Sequence, residues 1–255
     1  MIFQAHKGVS TENPENTMPA MITAVQQGYQ IIELDVSVTK DLQFVLLHDS
    51  TVNRTARYEN GDRITDTVNI GDITYEEALQ YDFGVWFSDA FRGTKIPLFE
   101  EVLQFAKQNR IALKIDNKYQ KFSQGQKAAF FELLKPYEEV ACLTCSHMEE
   151  IKTANRVFPE MHFHYDGEVS AEILEQLRSF LPKERLTVWL PHKNPNTAWA
   201  KVAFADRQLT ELVKRYARLG VWILSESSQL EEAKKLGADV IETNGQLKPE
   251  QEEAL

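Results

Sequence analysis

Two carboxylates and an imidazole fall within one short stretch of this chain, Gln30 to Ser50, which reads QIIELDVSVTKDLQFVLLHDS. Glu33 and Asp35 lie two residues apart, so on a strand they share one face while Ile32 and Leu34 take the other. A second apolar run, Phe44 to Leu47, ends in His48-Asp49. Between the runs, Thr39-Lys40-Asp41 reads as a tight turn, because Asp disfavours strand and tolerates turn geometry. A parallel crossover needs about a dozen residues or more, so the two runs are expected to pair as an antiparallel hairpin with Glu33 roughly opposite His48. An isolated E-x-D on a strand can be structural, each acid paired to a Lys or Arg, since buried carboxylates are rare unless paired or bound to metal. The adjacent His-Asp shifts the balance towards chemistry.

The elements that must position these groups follow from the pattern along the chain. Ile2 to Ala5 is strand-like and ends in His6-Lys7-Gly8, where a cation and a glycine suit close approach of an anion to the backbone. Thr17 as N-cap, Pro19 in the first turn and Gly28 as stop bound a helix from about Met18 to Gln27. The strand carrying Glu33 and Asp35 comes next. Residues 50–95 are rich in Asp, Gly, Thr and aromatics, with one helical segment around Tyr75 to Gln80. So long an interruption is usually functional, and it reads as a small insertion, about 37–95, over one end of the core.

From Pro97 onwards helices and strands alternate. Helices are expected at Leu98–Lys107, Gln124–Leu134, Met148–Val157 and Ala171–Phe180. A further one carries the stripe Leu209, Leu212, Val213, Tyr216 and Ala217 and is closed by Gly220. Ser228 and Glu231 form a capping box for the last helix, closed by Gly237. Strands are expected at Ile111–Ile115, Val140–Thr144, Met161–His164, Leu186–Leu190, Val221–Leu224 and Asp239–Glu242. With those beginning at residues 2 and 30 they number eight. Strand–helix alternation at this count predicts an α/β fold, a (β/α)8 TIM barrel with a small insertion after the second barrel strand, its site at the C-terminal ends of the strands. His6, Glu33, Asp35 and Asp116 all fall at or near such ends.

Composition agrees. The 255 residues are close to the ~250 of such a barrel, and residues 1–255 read as one domain. A net charge of −10 argues against nucleic acid as a partner. It permits a small anionic substrate, because a divalent cation can reverse the sign locally. No leader-like segment and no run near 18 apolar residues stands out, so a cytoplasmic protein without stable membrane insertion is expected. Cys142 and Cys145 spell C-x-x-C, but on a strand they face opposite sides, so buried free thiols are expected in place of a zinc clamp or redox pair. Three carboxylates with little soft ligation favour one hard cation, Mg2+ or Ca2+. Two histidines beside it can exchange protons near neutral pH, and Lys7 and Lys118 add positive charge. Such a site suits displacement at an anionic, oxygen-rich centre such as a phosphodiester.

The run His6-Lys7-Gly8, Pro14-Glu15-Asn16-Thr17, Glu33-Leu34-Asp35-Val36, Thr39-Lys40-Asp41, His48-Asp49, Thr51-Val52-Asn53-Arg54-Thr55 resembles the glycerophosphodiester phosphodiesterase family. The likeness continues through Ile96-Pro97, Glu100-Glu101-Val102-Leu103, Val221-Trp222 and Gly237-Ala238-Asp239-Val240-Ile241. It implies the same barrel with its insertion, His6 and His48 as acid/base pair, and Glu33 and Asp35 as metal ligands. Asp116 stands where the third ligand is usually Glu in I-E-I-K. Lys7, Lys118 and Trp222 would meet the substrate. The implied activity is hydrolysis of a small-molecule glycerophosphodiester to sn-glycerol 3-phosphate and an alcohol. A homo-oligomer is compatible with everything above.

Departures are visible too. Lys7 replaces the usual Arg, a point charge in place of a bidentate fork. Asp116 is one methylene shorter than Glu, and Thr243-Asn244 replaces Thr-Asp. Cys145-Ser146-His147 and Leu190-Pro191-His192-Lys193 are not family patterns. His147, His192 and Lys193 read as solvated loop residues, and His162 and His164 as ordinary strand residues. Two rival functions stay open: a lipid phosphodiesterase acting on lysophospholipid, which would need an apolar rim that Trp86, Phe87 and Phe91 could supply, and a non-catalytic phosphate- or glycerol-binding barrel.

Overall fold

Eight parallel strands close into a barrel in the computed structural model, which describes residues 1–250. In chain order they are β1 (Ile2–His6), β2 (Ile31–Leu34), β3 (Ala112–Ile115), β4 (Ala141–Cys145), β5 (Phe163–Tyr165), β6 (Leu186–Pro191), β7 (Arg218–Leu224) and β8 (Val240–Thr243). Each pairs with its sequence neighbours, and β1 closes on β8 with Ile2 beside Val240. Helices fall where the periodicity puts them; Gln124–Leu134 and Met148–Val157 match at both ends. Their buried faces join the outer faces of the strands in one large apolar core.

The predicted hairpin forms, but not from β2. That strand is hydrogen-bonded to β1 on one side and β3 on the other, so it has no edge left to pair. The chain breaks at Asp35, and a separate ribbon leaves the barrel, Val36–Val38 antiparallel to Phe44–Leu46. Glu33 therefore lies in the barrel wall and not opposite His48. The ribbon still returns His48 to the site, because the Leu47 amide donates to the Asp35 carbonyl at 3.0 Å. The rest of the insertion holds a two-residue ribbon, Arg57–Tyr58 with Tyr81–Asp82, and a short helix, Tyr75–Ala78. It packs around a small core of its own that includes Val45, Val52, Ile70, Phe83 and Ile96.

Three local expectations are corrected. The Thr17 side chain does not cap its helix; its hydroxyl donates to the Pro14 carbonyl at 2.6 Å. The helix Ser227–Leu236 starts after Glu226, and Ser228 and Glu231 form no capping box; Glu231 instead accepts from Lys234 at 2.7 Å. Gly220 is not a helix stop: the helix Arg207–Tyr216 ends before it, and Gly220 sits inside β7. A Cβ there would stand 2.5 Å from the Trp189 ring, so glycine lets that indole lie against the strand. Cys142 and Cys145 are buried free thiols, and burial pushes both up to about 12.

The barrel interior departs most from expectation. Branched apolar side chains usually fill such a lumen. Here Lys114 of β3 and Glu242 of β8 are both buried and 3.3 Å apart, and Gln4 also donates to Glu242. The Lys114 ammonium lies 4.5 Å above the Trp189 ring, and the Trp189 indole donates to His164 at 2.8 Å. His164 is thus part of a buried polar floor beneath the strands' C-terminal ends.

Candidate active site

The end of β1 is built by two left-handed residues in succession, Lys7 (φ 59°) and Gly8 (φ 76°). A Cβ on Gly8 would come within 2.7 Å of Ala20, so only glycine lets the loop settle on the first helix. The turn aims the Lys7 amide at Glu33, donating at 2.9 Å. Asp35 is fixed by Asn16, itself in the left-handed region at φ 56°, which donates to the carboxylate at 2.8 Å and accepts from the Asp35 amide at 3.1 Å.

His6, Lys7, Glu33, Asp35, His48, Asp116 and Trp222 all line one cavity of about 710 Å³ at the C-terminal mouth of the barrel. Lys118, also expected there, does not line it. Its ammonium donates to Asp35 and to the His48 carbonyl, each at 2.6 Å, and so braces the returning ribbon against the barrel. The buried Lys114 lines the cavity instead, along with Lys7 and Lys201.

Each histidine has one nitrogen committed. His6 Nδ1 is 2.7 Å from the Asn244 side-chain oxygen, leaving Nε2, 3.9 Å from Glu33. Burial is the main cause that lowers the His6 pKa, and the Lys7 charge lowers it too, so the ring is poised as a neutral base. His48 Nδ1 is 2.6 Å from Asp49. Asp49 accepts in turn from Arg54, whose guanidinium grips both oxygens of Glu15, and Glu15 accepts from Lys7 at 3.3 Å. One hydrogen-bonded chain therefore ties the His48 loop to Lys7.

The carboxylates are unequal. Glu33 is raised well above the usual range by burial and then by the charges of Asp35, Glu242 and Asp116. Asp116 is pushed up to about 6 by burial and by Asp35. Burial would raise Asp35 as well, but Lys118 and Lys7 hold it down at about 2. These three fit a divalent cation by chemistry: hard oxygen donors, two buried and Asp116 half-buried, whose mutual repulsion a cation would relieve. Among the described residues no three His, Cys, Asp or Glu side chains already converge on one point. Asp35 is turned towards Asn16 and Lys118.

The far side of the mouth contains groups that the sequence reading did not assign. Asn117 donates to Ser146 at 2.7 Å and to Asp166 at 2.8 Å, and the Ser146 hydroxyl donates to Asp166 at 2.9 Å. His192, expected to be solvated, is buried, with Nε2 2.9 Å from Glu232; His147 and Lys193 are exposed. Trp199 also lines the cavity. Only the C-S-H and P-H-K departures hinted at this side.

A (β/α)8 barrel with histidines and carboxylates around its C-terminal mouth defines a class, and comparison with known proteins supplies the family. The glycerophosphoryl diester phosphodiesterase family matches residues 6–159, and this chain belongs to it. A glycerophosphodiester phosphodiesterase of Caldanaerobacter subterraneus is 41% identical over 100 residues, 39% of this chain but only 38% of that relative. Bovine glycerophosphodiester phosphodiesterase 1 is 30% identical over 244 residues, 87% of this chain and 70% of that protein. Among solved structures, a phosphodiesterase of Oleispira antarctica in complex with the product sn-glycerol-3-phosphate superposes with a TM-score of 0.73 at 22% identity, covering 96% of this chain and 93% of that one. That likeness establishes the shared barrel.

Proposed function

We propose that this chain, acting as one domain with residues 37–95 inserted, hydrolyses glycerophosphodiesters to sn-glycerol 3-phosphate and an alcohol. The observation that carries this reading is the single cavity bringing His6, His48 and Lys7 to the buried carboxylates Glu33 and Asp35 and the half-buried Asp116. Membership of the family supports it, as does the product bound to the Oleispira neighbour.

In this reading Lys7 holds a phosphate oxygen. Glu33, Asp35 and Asp116 would hold one Mg2+ or Ca2+, which supplies positive charge for the phosphate and lowers the pKa of the attacking glycerol hydroxyl. His6 takes that hydroxyl's proton on Nε2, since Asn244 holds Nδ1. His48, its Nδ1 held by Asp49, protonates the leaving alcohol. The new P–O bond forms as the bond to the alcohol breaks, giving a cyclic phosphate. Water then opens the ring while the histidines exchange roles. The lysophospholipid alternative loses its proposed rim: Trp86, Phe87 and Phe91 do not line the cavity and pack edge-on against one another.

The test is liberation of glycerol phosphate from a glycerophosphodiester, with and without chelator. Release that chelation stops and that Glu33→Gln abolishes without unfolding the protein is the expected result. Wild-type turnover by Glu33→Gln at saturating Mg2+ would overturn the ligand assignment.

A further inference from the structure

Trp199 is the most exposed large apolar side chain among the described residues, at 69%. Exposure of this kind usually marks a loose loop, but this loop is pinned from several directions. The Trp199 indole donates to the Asn196 carbonyl at 2.9 Å, and the Asn196 side chain donates to Ser225 at 3.2 Å. Asn194 donates to the Ile223 carbonyl at 2.9 Å, and the fully buried Thr197 donates to the His192 carbonyl. His192 is held in turn by Glu232 and, through its amide, by the Trp222 carbonyl at 2.7 Å. An indole fixed this firmly yet left in solvent is placed to receive something.

Its neighbours indicate what. The Trp199 and Trp222 ring centroids are 5.3 Å apart with their planes at 42°, and both line the cavity that holds the two histidines. Asp166, just beyond the end of β5, lines the same cavity. Its oxygens accept only from the neutral donors Ser146 and Asn117, and it makes no ion pair among the described residues. Indole faces attract cations through the ring quadrupole, and a fixed carboxylate adds an opposite charge. Lys201 also lines the cavity, but its side chain is exposed and makes no hydrogen bond among the described residues, whereas the Asp166 carboxylate accepts two.

We propose that Trp199, Trp222 and Asp166 form the subsite for the leaving alcohol, and that it takes an alcohol bearing a compact organic cation. The inference rests on the phosphodiesterase reading, with β4–β7 handling the alcohol while β1–β3 and β8 handle the phosphoryl chemistry.

The experiment compares kcat/KM for glycerophosphodiesters of a cationic alcohol (choline), a neutral one (glycerol) and an anionic one of similar size. The cationic ester is expected to lead. Trp199→Leu and Asp166→Asn should each lower the cationic-to-neutral ratio by about five- to tenfold, the scale of one cation–π or charge contact. A ratio indifferent to both substitutions, or a preference for the anionic ester that Lys201→Met removes, would overturn the proposal. Titration of choline against tryptophan emission is a separate readout: a saturable change in the wild type that Trp199→Leu loses is expected, and its absence in the wild type counts against the subsite. If the wild type hydrolyses none of the three esters, the phosphodiesterase reading falls, and the choline titration still decides the subsite.

Discussion

The two halves of the barrel mouth are constructed differently. Around β1–β3 and β8 the functional groups sit on strand ends or the first residues after them, with His48 brought in by the ribbon after β2, and neighbouring backbone amides and side chains lock them. Glu33 accepts from the Lys7 amide, Asp35 is clamped by Asn16, and His6 is held by Asn244. Around β4–β7, Ser146 and Asp166 directly follow their strands and bond to each other and to Asn117, whereas Trp199 stands on the long loop after β6 and is held by contacts within that loop. Rigid strand ends suit groups that must meet reacting atoms within tenths of an ångström. Loops suit contacts that select among alcohols.

The sharpest way to break this comparison is to remove groups from the rigid half. His6→Ala and His48→Ala should each cost about 10²–10⁴-fold in turnover with every substrate, the usual scale for losing a general acid or base. An aryl leaving group, which needs no proton, should partly rescue His48→Ala and leave His6→Ala slow. Rescue of the other variant would reverse the two roles.

A second prediction concerns the floor beneath both halves. Lys114 and Glu242 are a buried pair, and removing one partner leaves the other charge uncompensated. Lys114→Met should cost ~3–5 kcal/mol of stability, and the double variant Lys114→Met/Glu242→Met should recover most of it. Chemical denaturation of the three proteins checks this. A double variant no more stable than Lys114→Met would mean that packing against Trp189, and not charge, holds the floor.

A smaller effect tests the carboxylate half without any substrate. The Asp116 pKa is raised to about 6, so its contribution to folding is present below its ordinary range and is lost as pH rises through about 6. Glu33 is shifted in the same direction. A cation that replaces those protons should therefore raise Tm more at about pH 7 than at about pH 5. Equal shifts at both pH values, measured by thermal unfolding with and without Mg2+, would show the cation binding elsewhere.

The same division explains what the sequence made legible. That His6, Glu33, Asp35 and His48 share one cavity could be read because they fall in short spacings at strand ends. The barrel could be read because eight alternations leave few topologies. The hairpin forms on a separate ribbon and not on β2, because pairing depends on whether β1 and β3 already fill both edges of β2, which local pattern does not record. Lys114 and Glu242 are 128 positions apart, and neither looks unusual alone. Lys118 fits the family motif, yet its ammonium is used to brace Asp35 and the His48 carbonyl. Trp199 carried no signal because its placement depends on anchors spread over Asn194, Asn196, Thr197 and Ser225.

The most direct test of the central claim is phosphorus NMR of a glycerophosphodiester turned over by the wild-type protein with Mg2+. The expected spectrum shows all phosphate leaving as sn-glycerol 3-phosphate, with a cyclic glycerol phosphate accumulating when ring opening is slowed. Phosphate retained on the alcohol, or equal turnover of an ester lacking the neighbouring hydroxyl, would contradict it.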